Sequence, residues 1–248
     1  MTRKFLMEIY VVQPGDTVDT IAEKHGVDVN SIIVTNQLIY PYRLAVGQAL
    51  LLSGENALSR PAVVSNGYAY PFISPWVLNQ TLPFLSELSV FSYGFTAEGE
   101  LIFPVLDDTW MIEDAKAAGT KATLTLTPLG AEGNFNNRLV SALVNDLRAQ
   151  TVLLRNLVQV MNEKGYDGLN IDFEYILAAD RDAFTAFVGR TRRVLNQLGY
   201  YVSVALAPKY MDNQPGILYE GMDYAGLGQA ANSVLLMTYE WGYTYNQT

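Results

Sequence analysis

Alternation at a two-residue period and recurrence at helical spacing divide the chain into two successive runs of elements. In residues 8–52, Ile9-Tyr10-Val11-Val12 predicts a strand and Pro14-Gly15-Asp16-Thr17 a turn that caps a helix. Val18, Ile21 and Ala22 then recur at helical spacing, and His25-Gly26 stops that helix. A second helix is expected over 29–36, presenting Ile32 and Ile33. A loop with Tyr40-Pro41 leads through Val46-Gly47-Gln48 into a strand at 49–52. This small β-α-α-β unit is followed by a polar stretch at 53–61, with Gly54 and Pro61, that reads as a linker.

From residue 62 to 248, strands and helices alternate. Strands are expected at 62–68, 88–95, 122–127, 168–174, 201–206 and 234–239, with a turn at 97–100. Helices are expected from Asp107 or Asp108 to about 118, over 137–164 with Leu153, Leu154, Leu157, Val158 and Met161 on one face, and from Asp180 or Asp182 to about 198. Such alternation predicts a parallel sheet with crossover helices. Polar residues collect after the strands and no glycine-rich phosphate loop follows any of them. A TIM-type (β/α)8 barrel therefore fits better than a nucleotide-binding doubly wound sheet, with the active site at the C-terminal strand ends.

The stretch KGYDGLNIDFEY at 164–175 carries the candidate chemistry. At strand period, Leu169, Ile171 and Phe173 point one way and Asn170, Asp172 and Glu174 the other. Acidic groups on a buried strand are costly unless they meet a ligand or partner. Same-face neighbours lie ~6.6 Å apart, so Asp172 and Glu174 can act on one bound molecule. For either carboxylate taken singly, a helix cap or a solvated loop end is the simpler account, and a divalent-cation site is a further reading of the group.

Composition narrows the chemistry. The formal charge of −9 and the pI near 4.6 argue against nucleic acid or an anionic membrane as partner. There is no cysteine, and His25 is the sole histidine, far from the acidic strand. Thiol nucleophiles, a Ser-His-Asp triad and a His-rich zinc site thus have nothing to be built from. No metal or cofactor is called for. The 16 tyrosines and 10 phenylalanines suit a ligand held by stacking and hydrogen bonds. The apolar run near the N-terminus is too short for a signal-peptide core, and no stretch of eighteen apolar residues follows.

The string YVVQPGDTVDTIAEKHGVDVNSIIVTNQL, closing in VGQALLL, resembles a LysM domain. The resemblance implies binding of glycans containing N-acetylglucosamine, such as peptidoglycan or chitin, in a groove between the GDT turn and the loop after the second helix. Asp16, Thr17, Asn36 and Leu38 would lie near it. The structural alternatives are helix caps at Asp16 or Thr17 and at Asn36.

DGLNIDFE at 167–174 resembles the DxxDxDxE signature of glycoside hydrolase family 18, and FSYGF at 91–95 and MTYE at 237–240 resemble two more of its strands. With the N-terminal LysM, the chain looks most like the spore-cortex branch, the peptidoglycan N-acetylglucosaminidases of spore-forming bacteria. The resemblance implies Glu174 as general acid, Asp172 as the group that orients the substrate's 2-acetamido, and Tyr239 as a hydroxyl bonded to it. Asn170 completes the catalytic set. Met237, Glu240, Trp241 and Tyr93 are the implied substrate contacts. It further implies association with the spore cortex, spore coat or cell wall.

Two positions depart from the family pattern: Asn170 replaces its middle aspartate and Glu240 the aspartate after the tyrosine. A chitinase and a non-catalytic glycan-binding protein of the same fold are the alternatives, and a metal-dependent hydrolase a more distant one. Residues 62–248 fall short of the ~250 residues of a typical barrel, and only six strands are legible. The expectation from length is a barrel lacking its final strands. The expected organisation is LysM at 8–52, linker at 53–61 and barrel at 62–248.

Overall fold

A computed structural model of the chain describes residues 7–53, 63–129 and 136–238. It divides into two compact units at residues 63 and 64.

The N-terminal unit runs β1 (Met7–Val11), α1 (Val18–His25), α2 (Val29–Thr35) and β2 (Ala49–Ser53). The two strands pair antiparallel, and Ile21, Ile32, Leu50 and Leu52 are fully buried between sheet and helices. Thr17 is the N-cap of α1, in a reciprocal capping box with Thr20. Gly26 ends α1 in the left-handed region, φ 65°, where its backbone N–H closes on Ala22 and Glu23 carbonyls.

The second unit runs β3 (Asn66–Ala69), α3 (Pro75–Thr81), β4 (Glu87–Phe95), β5 (Leu101–Ile102), α4 (Thr109–Ala117), β6 (Lys121–Leu126), α5 (Asn137–Asn145), α6 (Leu147–Lys164), β7 (Gly168–Ile171), α7 (Arg181–Gln197), β8 (Tyr201–Leu206), α8 (Tyr224–Ala230) and β9 (Ser233–Leu236). Six strands, β3-β4-β6-β7-β8-β9, pair in parallel in the order of the chain, each joined to the next by a helical crossover. These are consecutive steps of a TIM-type barrel. Leu88, Val90, Leu124, Leu169, Ile171 and Val204 face the helices and form the core with Leu153, Leu157, Phe184 and Phe187.

The sequence reading differs from the structure at identifiable places. The helix expected over 137–164 is two helices, because Asp146 accepts from the backbone N–H of Arg148 at 2.7 Å and restarts the chain as an N-cap. The first barrel strand is confined to Asn66–Ala69. The acidic strand ends at Ile171, although the Asp172 N–H still donates to Leu126 O at 2.9 Å. Helices α3 and α8 escaped prediction, both being single short stretches of seven residues. The turn at 97–100 returns into β5, which pairs antiparallel with the end of β4.

One charged cluster ties β4 and two crossovers together on the helix side of the sheet. Asp108, at the start of α4, is fully buried. It accepts from Tyr93 OH at 2.7 Å and Tyr166 OH at 2.5 Å, and is ion-paired with Lys164 at the end of α6. Burial and the neighbouring carboxylate hold both phenols well above the ordinary tyrosine range. Helix capping falls to Asp107, which accepts from Thr109 N–H at 3.2 Å. Removing one member of a buried, fully partnered cluster leaves the others unpaired, so Asp108→Ala should lower unfolding free energy by about 3–5 kcal/mol in denaturant titration. A loss under ~1 kcal/mol would mean the cluster is dispensable.

Candidate active site

The alternation of β7 divides its side chains as the sequence predicts. Leu169, Ile171 and Phe173 are fully buried on the helix side. Phe173 stacks on Phe187 with centroids 5.9 Å apart, on Phe184 at 5.8 Å, and lies 5.3 Å from Phe95. Asn170, Asp172 and Glu174 are thereby turned to the opposite, interior face.

That face is lined by polar groups from neighbouring strands. Asn170 is buried and its amide is fixed at both ends: it donates to Tyr68 OH at 2.9 Å and accepts from Ser203 OH at 2.9 Å. Below it, Tyr201 lies across β7 at Gly168, where any Cβ would meet its ring at 2.5 Å. The Tyr201 hydroxyl donates to Glu87 at 2.6 Å, and Thr123 donates to the same carboxylate at 2.7 Å.

Asp172 is different. It is buried, and its Oδ1 has no hydrogen-bond partner among the described residues, nor has the Thr125 hydroxyl on the adjacent strand. Burial first, and repulsion from Glu174 second, push its carboxyl from 3.8 up to about 7. Glu174, two residues on at the strand's C-terminal end, is only partly buried. The arrangement is a pair of carboxyls with unequal exposure. It is suited to holding a proton near neutral pH and delivering it to a ligand above the strand ends.

Met237 follows β9 and packs with Ala205 and Ala207, on the side of β8 that carries Ser203. It therefore shares the interior face with Asn170. Tyr93 does not. The register of β4 shifts between Val90 and Tyr93, and the slip moves Tyr93 to the helix side, where it pairs with Leu126 and bonds Asp108. The expected sugar contact is a core residue. Tyr239, Glu240 and Trp241 lie outside the described residues. Tyr68 and Ser203 were not singled out from the sequence; the strand period places Tyr68 with Asn66, and Ser203 opposite Tyr201's neighbours, which was the available signal. Among the described residues there is no group of three or more potential metal ligands, and no helix is long and apolar enough to cross a membrane.

In the N-terminal unit a groove of about 570 Å³ is lined by Asp16, Thr17 and Val18 on one side and Tyr42, Arg43 and Leu44 on the other. This matches the expected position between the turn and the loop after α2. Asp16 accepts from Tyr10 OH and the Gln13 N–H, both at 2.7 Å, and these bonds, the backbone one foremost, hold its carboxyl below the usual range. Asn36 is not part of the groove wall. Its amide brackets α2 to β2, donating to Ile32 O at 2.8 Å and Leu51 O at 2.9 Å and accepting from Leu51 N–H at 2.7 Å. Leu38 packs against the unit's core instead of lining the groove.

An acid with a higher pKa folded than unfolded binds more protons when folded between about pH 4 and 7. Its contribution to stability is therefore lost as pH rises through that window, by on the order of a few kcal/mol. Asp172→Asn removes the buried charge. The variant should melt higher than the native chain at pH 8.5, with the gap closing toward pH 4 in thermal scans. A gap independent of pH would contradict the assignment.

The profile of the family described as Glycosyl hydrolases family 18 matches residues 85–247, and that of the LysM domain matches residues 10–53. YdhD of Bacillus subtilis, whose given name is that of a sporulation-specific glycosylase, is 31% identical over 94% of this chain and 54% of its own. The cortical fragment-lytic enzyme of Bacillus anthracis is 31% identical over 96% of this chain and 67% of its own. The chain thus spans between about half and two thirds of the length of these relatives. The crystal structure of the spore cortex-lytic enzyme SleL of Bacillus cereus superimposes with a TM-score of 0.80 at 25% identity, over 98% of this chain and 68% of that one. With its carboxyl pair at the end of β7 and the profile match across the parallel strands, the chain belongs to glycosyl hydrolases family 18 and carries an N-terminal LysM domain.

Proposed function

We propose that this chain cleaves spore-cortex peptidoglycan as a retaining, substrate-assisted β-N-acetylglucosaminidase with Glu174 as general acid and base. The observation that carries the proposal is the buried Asp172, its Oδ1 without a partner among the described residues and its carboxyl pushed up to about 7, next to the more exposed Glu174.

In this reading the Asp172 carboxyl receives the N–H of the substrate's 2-acetamido group, whose own oxygen attacks the anomeric carbon. Glu174 protonates the departing glycosidic oxygen. It then takes a proton from the water that opens the oxazolinium, which returns it to its starting state. Asn170, clamped by Tyr68 and Ser203, cannot exchange a proton with Asp172, so proton traffic in the pair runs between Asp172 and Glu174. The relatives named for lysis of spore cortex or cortical fragments support peptidoglycan as the polymer, and the LysM groove supports retention on such a glycan. The place of action that follows is the spore cortex or cell wall.

Incubation with cortex glycan strands followed by mass spectrometry should yield fragments ending in reducing N-acetylglucosamine, released with the β configuration. Glu174→Gln should lower turnover by ~10²–10⁴-fold while leaving glycan affinity within about threefold. Fragments ending in reducing N-acetylmuramic acid would overturn the bond assignment. Equal turnover in the variant would overturn the role of Glu174.

A further inference from the structure

Glu174 rides on a segment that leaves β7 without regular structure and is anchored on both sides. Phe173 before it and Ile176 after it are fully buried in the core of the unit. Between those anchors Tyr175 is exposed, and its backbone is left-handed, with φ 56°. A bulky residue keeps that conformation only where its surroundings impose it.

The loop between β8 and α8 is part of those surroundings. Its Gly221 lies directly on the Ile176 backbone. A Cβ at Gly221 would fall 2.2 Å from the Ile176 carbonyl oxygen and 2.6 Å from its carbonyl carbon, well inside the 3.0 Å that real Cβ atoms keep. Only glycine fits. The next residue, Met222, is fully buried, and its carbonyl accepts from the Lys209 ammonium at 2.5 Å. The same ammonium donates to Asp212 O at 3.0 Å and Tyr219 O at 3.4 Å, so one side chain gathers three carbonyls of the loop. Tyr224, at the start of α8, closes the other side: its hydroxyl accepts the Lys209 backbone N–H at 2.9 Å and donates to Ala207 O. Contacts thus run without a break from Lys209 through Met222 and Gly221 to Ile176, two residues beyond Glu174.

Resting on Glu174 as the general acid, we infer that Gly221 and Lys209 are positioning residues for the reaction. Gly221 sets where the Glu174 turn lies by packing backbone against backbone on Ile176, and Lys209 holds Gly221 in place. The demand on position is strict. A general acid works within about 2.6–3.2 Å of the atom it protonates, and a misplacement of ~1 Å costs on the order of 10²-fold. A methyl on Gly221 would have to push the Ile176 carbonyl oxygen from 2.2 Å to at least 3.0 Å.

The test follows Gly221→Ala and Lys209→Met by two readouts, each taken below the variant's melting temperature. On cortex glycan strands, Gly221→Ala should lower kcat about 100-fold and Lys209→Met about tenfold, with KM within about twofold of the native chain. The second readout is a carbon-13 titration of the Asp172 carboxyl, which burial first and the charge of Glu174 second push up to about 7. Glu174→Gln removes that charge and gives the lower reference. Both variants should move the Asp172 midpoint toward this reference, because a displaced turn carries the Glu174 carboxylate farther off. A native kcat or a native Asp172 midpoint in Gly221→Ala would overturn the inference. So would a rise in KM matching the fall in kcat, which would make the loop a glycan contact. If Gly221→Ala does not fold, Lys209→Met decides by the same readouts. Full turnover in Glu174→Gln with the midpoint shifts intact overturns the catalytic reading and leaves Gly221 as the residue that places Glu174.

Discussion

The anchoring of Phe173 is the constraint on which the site depends. Its ring lies in the stack formed with Phe184 and Phe187 of α7 and touches Phe95 of β4. Burying that much aromatic surface contributes roughly 2–3 kcal/mol before any specific stacking. With that ring on the helix side, Asp172 before it is buried on the interior face, and Glu174 after it stays close enough for its charge to raise the Asp172 carboxyl. The helix-side core thus sets the direction of the carboxyls without contacting them.

A second consequence concerns the polar interior. A barrel lined by Asn170, Ser203, Tyr68, Thr123 and Glu87 is tolerable because each accepts or donates across strands. Against that background Asp172 Oδ1 and the Thr125 hydroxyl stand out as buried groups without partners among the described residues. Evenly satisfied surroundings make two unsatisfied neighbours informative, since a folded chain retains such groups mainly where a ligand will meet them. The raised carboxyl of Asp172 is the electrostatic expression of the same fact.

The exposed aromatics near β4 belong to this picture through a local irregularity. The register shift between Val90 and Tyr93 sends Tyr93 outward to Asp108 and leaves Phe91 inside, between Tyr68 and Tyr70. One shift therefore serves two purposes. It completes the buried cluster that joins α4 to α6, and it leaves Phe91 packed against Tyr68 and Tyr70 on the other face.

The amino-acid sequence by itself determined the strand and helix alternation, the sequential parallel order it implies, and the inward face of Asn170, Asp172 and Glu174. All of these follow from local periodicity, which nearest neighbours fix. It also determined the LysM unit, whose GDT turn and Gly26 stop are short-range signals. The tertiary structure alone decided the rest. Tyr93 departs from the expected face because a register shift is a property of two paired strands. Asn36 proves to be a bracket because its partners on Leu51 lie fifteen residues away. Tyr68 and Asn170 meet although 102 residues separate them in the chain. The raised carboxyl of Asp172 likewise depends on burial by distant strands. Periodicity tells which way a side chain points; only packing tells what it meets there.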